Sequence, residues 1–438
     1  RFDVKKYLND SDTVEVDYKN EAGEKLGFKD GEVIIPFNED GIYEIQVSGT
    51  DKSGNPINEE VGKIKFIIDK TKPVVNIKNY DTLNGSFNKK VDSVKFSVNE
   101  ANFEQSNLKF TVKKTKPNSE PVDIEVKEES IKKLSDENGN YEFELAGLFK
   151  DDSKYDISIN ITDKAGNPID TKSKNSVAFT VDNTNPEVEI KTVADGNYYN
   201  LETVPLEVRV KDNNHNTNKV IIEKISKKIG ENQLVEKNEY TESSTSEGNI
   251  KVFKLALTEE ATYNVTVEST DMAGNSNEEK EPYSFVIDRK EPLIETNFEG
   301  LNETYNNSTK TATIKISELN WENKYTGKPL IAIVKGKKLT PNKKEVDIDL
   351  SFPLTGEVTE KSFTDEFNDD AIYNLNVSIS DSAGINGKSQ SVKFITDKTE
   401  PTINIEGIKN EKYYDGNRDV IITTTDVNND INNVTVKK

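Results

Sequence analysis

The chain repeats itself with a period of about 109 residues, and that period limits the possible folds more than any other feature. The phrase Asp69-Lys-Thr-Lys-Pro73 returns as Asp182-Asn-Thr-Asn-Pro186, Asp288-Arg-Lys-Glu-Pro292 and Asp397-Lys-Thr-Glu-Pro401, at steps of 113, 106 and 109 residues. A second phrase recurs upstream of each: Thr50-Asp51-Lys-Ser-Gly54-Asn55, Thr162-Asp163-Lys-Ala-Gly166-Asn167, Thr270-Asp271-Met-Ala-Gly274-Asn275 and Ser380-Asp381-Ser-Ala-Gly384. The last copy carries Ile385 where the others have Asn. A tyrosine stands eight residues before each of these aspartates, at Tyr43, Tyr155, Tyr263 and Tyr373. An acid follows each linker aspartate by about thirty residues, at Glu100, Asp212, Glu318 and Asp426. Four landmarks in register across four copies mark repeated domain-sized units.

The repeat places boundaries at the linker aspartates. Residues 70–182, 183–288 and 289–397 are expected to be whole domains, with 1–69 the C-terminal part of one and 398–438 the N-terminal part of another. Phe2-Asp3-Val4-Lys5-Lys6 aligns with Phe110-Thr111-Val112-Lys113-Lys114, and Val434-Thr435-Val436-Lys437-Lys438 falls at the same point. The expectation is a segment opened and closed mid-domain. Either the chain continues at both ends or neighbouring chains complete one another head to tail.

Composition now decides what such units can do. Only 33% of residues are hydrophobic, which taken alone fits either disorder or many small domains with thin cores. Regular repeats of domain size favour the second. The chain has no cysteine and one histidine, which excludes thiolate metal sites, disulfide scaffolds and histidine-rich metalloenzyme sites. A net charge of −21 argues against nucleic acid as the main partner, because phosphates must be neutralised by Lys and Arg. No apolar run approaches the length that spans a membrane as a helix.

One unit shows the strand pattern. Across 70–182, the apolar sets Val74–Ile77, Val94/Phe96/Val98, Leu108/Phe110/Val112, Val122/Ile124/Val126, Tyr141/Phe143/Leu145, Tyr155/Ile157/Ile159/Ile161 and Val177/Phe179/Val181 mark seven short runs. Six alternate with period two, which puts one face of each strand toward a core. No helical stripe competes. Seven short strands in such a length predict an all-β, two-sheet Ig-like sandwich in each repeat. The recurring tyrosine opens the sixth strand, where such sandwiches place a tyrosine corner.

With the strands in place, the paired phrases carry a resemblance. A sixth strand ending in Thr-Asp-x-Ala-Gly-Asn, one more strand, then Asp-x-Thr-x-Pro resembles the bacterial Ig-like repeats of large secreted adhesins and cell-wall proteins. The resemblance covers the whole chain, with Ser53 and Lys290 as departures. It implies an extracellular, rod-forming stalk at a bacterial cell surface or cell wall. In some such stalks calcium stiffens the domain junctions. The Lys-, Asn- and Ile-rich composition fits a low-GC Gram-positive source.

Topology then assigns the repeated acids. The start of the first strand and the loops after the second and sixth lie at one pole of an Ig-like sandwich. Asp69, Glu100 and Asp163 are therefore expected to converge there. So are Asp182, Asp212 and Asp271, then Asp288, Glu318 and Asp381; Asp397 and Asp426 form an incomplete fourth set, and Asp51 is left over. Three carboxylates so close repel unless a cation sits among them, and Ca²⁺ accepts six to eight oxygens in flexible geometry. Loop carbonyls near Asn102, Asn213 or Asn320 are expected to supply further ligands. The competing local reading is that Asp caps turns, Gly-Asn makes a turn and Thr-x-Pro stiffens a linker.

No catalytic motif accompanies the many carboxylates, so no enzyme activity is expected. His215, in a polar stretch after Asp212, is expected to be solvated. Trp321 stands where Phe103 and His215 stand and is expected to close a core pole. A Lys–Asn crosslink is not expected, because Asn167 and Asn275 fall in a turn phrase. Strands of this length give roughly 40 Å per unit and roughly 160 Å for four in series. The function expected is a structural stalk or fibre segment that projects an adhesive or functional tip. A binding-module array contacting glycans or host proteins, and the accessory region of a large secreted enzyme, stay open. Its partners are neighbouring repeats of the same chain or head-to-tail neighbouring chains.

Overall fold

A computed structural model describes residues 1–8, 11–21, 23–58, 62–430 and 433–438. The chain falls into two compact units, residues 1–185 with 270–276, and residues 186–269 with 277–438. The regular structure of both is almost wholly strand. Among the described residues no helix is long and apolar enough to cross a membrane.

In the first unit, residues 1–69 contribute one antiparallel sheet ordered Thr13–Glu15, Phe2–Tyr7, Gly41–Val47, Lys63–Ile68. Residues 70–182 form two facing sheets. One runs Ile131–Glu137, Asn140–Ala146, Ser93–Asn99, Val74–Ile77. The other runs Phe87–Asn88, Ser176–Val181, Ser153–Asn160, Lys109–Thr115, Val122–Ile124. All neighbours are antiparallel except Phe87–Asn88, which pairs parallel with Thr180 and Val181. The inward set is the one alternation dictates: Val94, Phe96, Phe143 and Leu145 from one sheet, Tyr155, Ile157, Ile159 and Phe179 from the other. Tyr155 and Phe179 stack at 5.7 Å, with Phe149 set edge-on to both. A buried aromatic of this kind contributes roughly 1.5–3 kcal/mol, so a few per sandwich offset the thin composition.

The second unit repeats the plan. Glu187–Lys191, Val204–Lys211, Ile250–Leu257 and Thr245–Glu247 face Tyr198–Tyr199, Tyr283–Ile287, Ala261–Asp271, His215–Ser226 and Leu234–Tyr240. Leu293–Thr296, Ala312–Ser317 and Val358–Phe363 face Tyr305–Asn306, Gln390–Thr396, Ala371–Ser378, Ile331–Leu339 and Glu345–Asp349. Thr402–Glu406 pairs with Ile421–Thr425.

All seven expected runs of 70–182 are strands. Two more appear: the short Phe87–Asn88, and Ile131–Glu137, whose alternation is broken by a register shift between Lys133 and Ser135. A one-turn helix, Tyr80–Leu83, adds Leu83 to the core.

Candidate metal sites at the linker aspartates

Each linker is gripped first from the sandwich before it. The tyrosine hydroxyl donates back to the carbonyl four residues upstream in every copy: Tyr43 to Glu39 at 3.0 Å, Tyr155 to Asp151 at 3.1 Å, Tyr263 to Glu259 at 2.9 Å and Tyr373 to Asp369 at 3.0 Å. This is the tyrosine corner. It pins a second acid that sequence reasoning missed. The Lys70 N–H donates to Asp40 at 3.0 Å and the Thr71 hydroxyl at 2.7 Å. Asp152 takes the same two bonds from Asn183 and Thr184, and Asp370 from Lys398 and Thr399. In the third copy the pair changes together: Glu260 replaces the Asp, and Lys290 replaces the Thr as an ion pair at 3.2 Å. The signal was present as acid-acid-x-x-Tyr in all four copies.

The linker is gripped again from the sandwich after it. Asp69, Glu100 and Asp163 each bring a carboxylate oxygen within 4.8 Å of the others. Glu100 and Asp163 are 2% and 3% exposed. The Asn102 side-chain amide donates to Asp69 Oδ2 at 2.6 Å, and its backbone N–H to Glu100 Oε1 at 2.7 Å. Asn167 Nδ2 donates both to Asp163 Oδ2 at 2.7 Å and to the Asp69 carbonyl at 2.9 Å. Gly166, at φ +89°, makes the tight turn that carries Asn167 back over Asp163. The asparagines thus enter as amide donors, where the sequence suggested loop carbonyls. One oxygen, Glu100 Oε2, is buried with no partner. Burial raises the Glu100 carboxyl above its ordinary range, and the charges of Asp69 and Asp163 raise it further. A buried acid with one unpartnered oxygen, clustered with two other carboxylates and with no sulfur or imidazole near, is a donor set suited to a hard cation.

Asp182 and Asp271 are joined through Asn275, whose Nδ2 donates to the Asp182 carbonyl at 2.9 Å and to Asp271 Oδ2 at 2.6 Å. Asp212 belongs to the second unit, where it is buried and accepts the Asn214 N–H at 2.6 Å. Asp288, Glu318 and Asp381 are all buried. Asn320 joins the first two, donating through Nδ2 to Asp288 at 2.6 Å and through N–H to Glu318 at 2.8 Å. Ile385 supplies only its backbone N–H to Asp381, at 2.7 Å, and Asp381 Oδ2 is buried without a partner. Burial, with the charges of Asp288 and Asp381 adding, pushes Glu318 up to about 7. Burial raises Asp288 and Asp381 as well. Asn428 joins Asp397 and Asp426 at half-buried positions. Asp51 is exposed, and the Asn55 amide holds it below the usual carboxylate range.

Two further positions were singled out. Trp321 packs against the core of its sandwich, as Phe103 does in 70–182. His215 differs from the solvated side chain expected: it starts a strand, is half-buried, and its Nε2 lies 2.9 Å from the Asn249 carbonyl. The polar run Asp212–Asn214 misled, because the strand begins immediately after it.

Fold and junctions together define a tandem array of Ig-like β-sandwiches with acid-lined linkers. The family model for the bacterial Ig-like domain (group 3) matches residues 37–167 and 137–289, more than half the chain, and the chain belongs to that family. Its domains serve as structural or binding modules of cell surfaces and are typically non-catalytic. None of the curated proteins matches the chain. Among solved structures, the calcium-binding domain CBD12 of CALX1.1 is similar at 10% identity and TM-score 0.16, over 44% of this chain and 80% of that one. A marsupial T cell receptor is similar at 12% identity and TM-score 0.24, over 74% and 99%. A Salmonella alpha-2-macroglobulin mutant is similar at 10% and 0.19, over 92% of this chain, which spans 35% of that one. These likenesses are too slight to transfer an activity or a ligand.

Proposed function

We propose that the chain is a stalk segment of a protein displayed outside a bacterial cell, on its surface or wall, whose Ig-like units hold an adhesive or functional tip away from the base. One observation carries this reading: Asp69 and its neighbours are bonded both backward and forward. Lys70 and Thr71 are tied to Asp40 behind them, and Asp69 is tied to Asn102 and Asn167 ahead. A tether meant for free reach is Gly/Ser-rich and unbonded. Pro73 adds a fixed φ.

The same proposal gives the acid trios Ca²⁺. Asp69, Glu100 and Asp163 would hold it, the ion supplying positive charge among carboxylates that otherwise repel. Support comes from the oxygen-only donors and the unpartnered Glu100 oxygen. Mg²⁺ demands a tighter octahedron and keeps its waters. Ion binding would stabilise the folded junction by about 2.7 kcal/mol at a hundredfold excess over Kd. The measurement is a thermal melt and a small-angle scattering curve of the full chain, with and without EDTA. Chelation should lower the melting temperature and broaden the distribution of interdomain distances. A chain indifferent to EDTA in both would overturn the calcium reading.

A further inference from the structure

The Asp288 junction is assembled from different parts. Ile385 stands where Asn167 bridges Asp163 to the linker, so no side-chain amide ties Asp381 to Asp288. In the same sandwich a hairpin is added. Phe103 and Leu108 are five residues apart, whereas Trp321 and Leu330, which pack at the corresponding core edge, are nine apart. The extra residues fold Glu322–Asn323 against Lys328–Pro329. Asn323 Oδ1 closes the turn by accepting the N–H groups of Tyr325 at 3.1 Å and Thr326 at 3.0 Å.

The hairpin tip reaches the preceding sandwich. The Tyr325 ring lies over Gly196, where a β-carbon would come 3.5 Å from the ring. It meets Tyr198 edge-on at 5.9 Å, and its hydroxyl lies 3.1 Å from Ser284 Oγ. The Lys324 N–H donates to the Tyr198 hydroxyl at 2.9 Å. A second tie crosses at another point, where Glu357 accepts the Gly230 N–H at 3.2 Å and pairs with Lys227. Between these ties runs a groove of about 980 Å³ bordered by Asp288 and Glu318. The Asn200 side-chain amide also crosses, donating to the Ala383 carbonyl at 3.1 Å, so the hairpin, this bond and the Lys227–Glu357 pair bridge the junction around the groove.

We propose that residues 322–329 form a metal-independent latch that fixes the sandwich of 187–287 against that of 293–396. The contrast with the Asp69 junction rests on the calcium reading above; the latch itself does not. Adjacent domains without a sizeable apolar interface move relative to one another by default. A ring seated on glycine, with hydrogen bonds at both ends, removes that freedom whether or not an ion is bound.

The chain has no cysteine, so nitroxide pairs can be introduced cleanly in the full chain. One pair, Lys237→Cys with Lys393→Cys, spans the latch; another, Lys65→Cys with Lys109→Cys, spans the Asp69 junction. In EDTA the latch pair should keep a narrow distance distribution, and Tyr325→Ala should widen it roughly twofold. If the alanine variant melts early, Tyr325→Phe tests the Ser284 bond with the ring kept, and should widen it less. A latch pair equally narrow with and without Tyr325 overturns the latch. An Asp69 pair that ignores EDTA overturns the calcium reading and leaves the latch standing.

Discussion

The Asp69 and Asp288 junctions occupy the same place in the repeat and satisfy their corresponding acids, half-buried Asp69 and buried Asp288 among them, by different means. At Asp69, two asparagine side chains bridge linker and sandwich, and a single carboxylate oxygen is left over. At Asp288, only Asn320 bridges, Ile385 contributes backbone alone, and all three carboxyls rise above their ordinary range. The lesson is that a dehydrated carboxylate needs a donor, a proton or a cation. Where the donors were lost, the sequence gained contacts elsewhere: Lys290 opposite Glu260, and the Tyr325 hairpin.

That comparison can be pressed experimentally. The largest effect is expected at Glu318. Its folded value of about 7 lies above that of the unfolded chain, so the folded state binds the extra proton. Without metal, stability should therefore be greatest below the unfolded carboxylate value and fall as pH rises through about 7. The total loss is up to about 3 kcal/mol. Glu318→Gln should flatten that slope in urea titrations containing EDTA, and an unaltered slope would show that Glu318 is not its source.

Next comes Asn167→Ile, which copies position 385 into the first unit. Stranding Asp163 Oδ2 should cost about 2 kcal/mol in EDTA. If calcium replaces the lost donor, adding it should recover part of that loss; no recovery would separate the two junctions further. Smaller still, Tyr155→Phe and Tyr373→Phe should each cost about 1 kcal/mol by freeing the corner carbonyl. A chemical-denaturation series that finds either neutral would remove the corner from the linker clamp. Smallest is the co-varied pair. Lys290→Thr should cost a few tenths of a kcal/mol, and adding Glu260→Asp should restore it. A double-mutant cycle with no coupling would mean that the two changes arose independently.

Much of this was readable in advance, and the omissions have physical causes. Alternation found six of the seven main strands of 70–182 because one face of each meets a core, and the short apolar run Val74–Ile77 gave the seventh. It missed Phe87–Asn88, too short to show a period, and Ile131–Glu137, where a register shift breaks it. Repetition placed Asp69, Glu100 and Asp163 together, because spacing held in every copy constrains topology. It did not reveal that Asn102 and Asn167 act as donors, since an amide offers both a carbonyl and an NH₂. Asp40, Asp152 and Asp370 passed unnoticed among 79 acids until their bonds to Thr71, Thr184 and Thr399 singled them out. Among the described residues the hairpin at Tyr325 has no counterpart in the other copies, so repetition could not flag it.

The two-residue parallel pairings, Phe87–Asn88 beside Thr180–Val181, Tyr198–Tyr199 beside Val286–Ile287 and Tyr305–Asn306 beside Ile395–Thr396, bear on how such a chain carries load. Each joins an early strand of a sandwich to its last. If the chain is a stalk under tension, force entering through the two flanking linkers would first peel the opening strand, as at Val74–Ile77, and then draw the parallel pair in opposite directions along its length. Its hydrogen bonds are sheared together instead of being opened one by one. On the stalk reading, a chain without a single disulfide would thus have, in each whole sandwich, a small mechanical fuse between the points where force arrives and leaves.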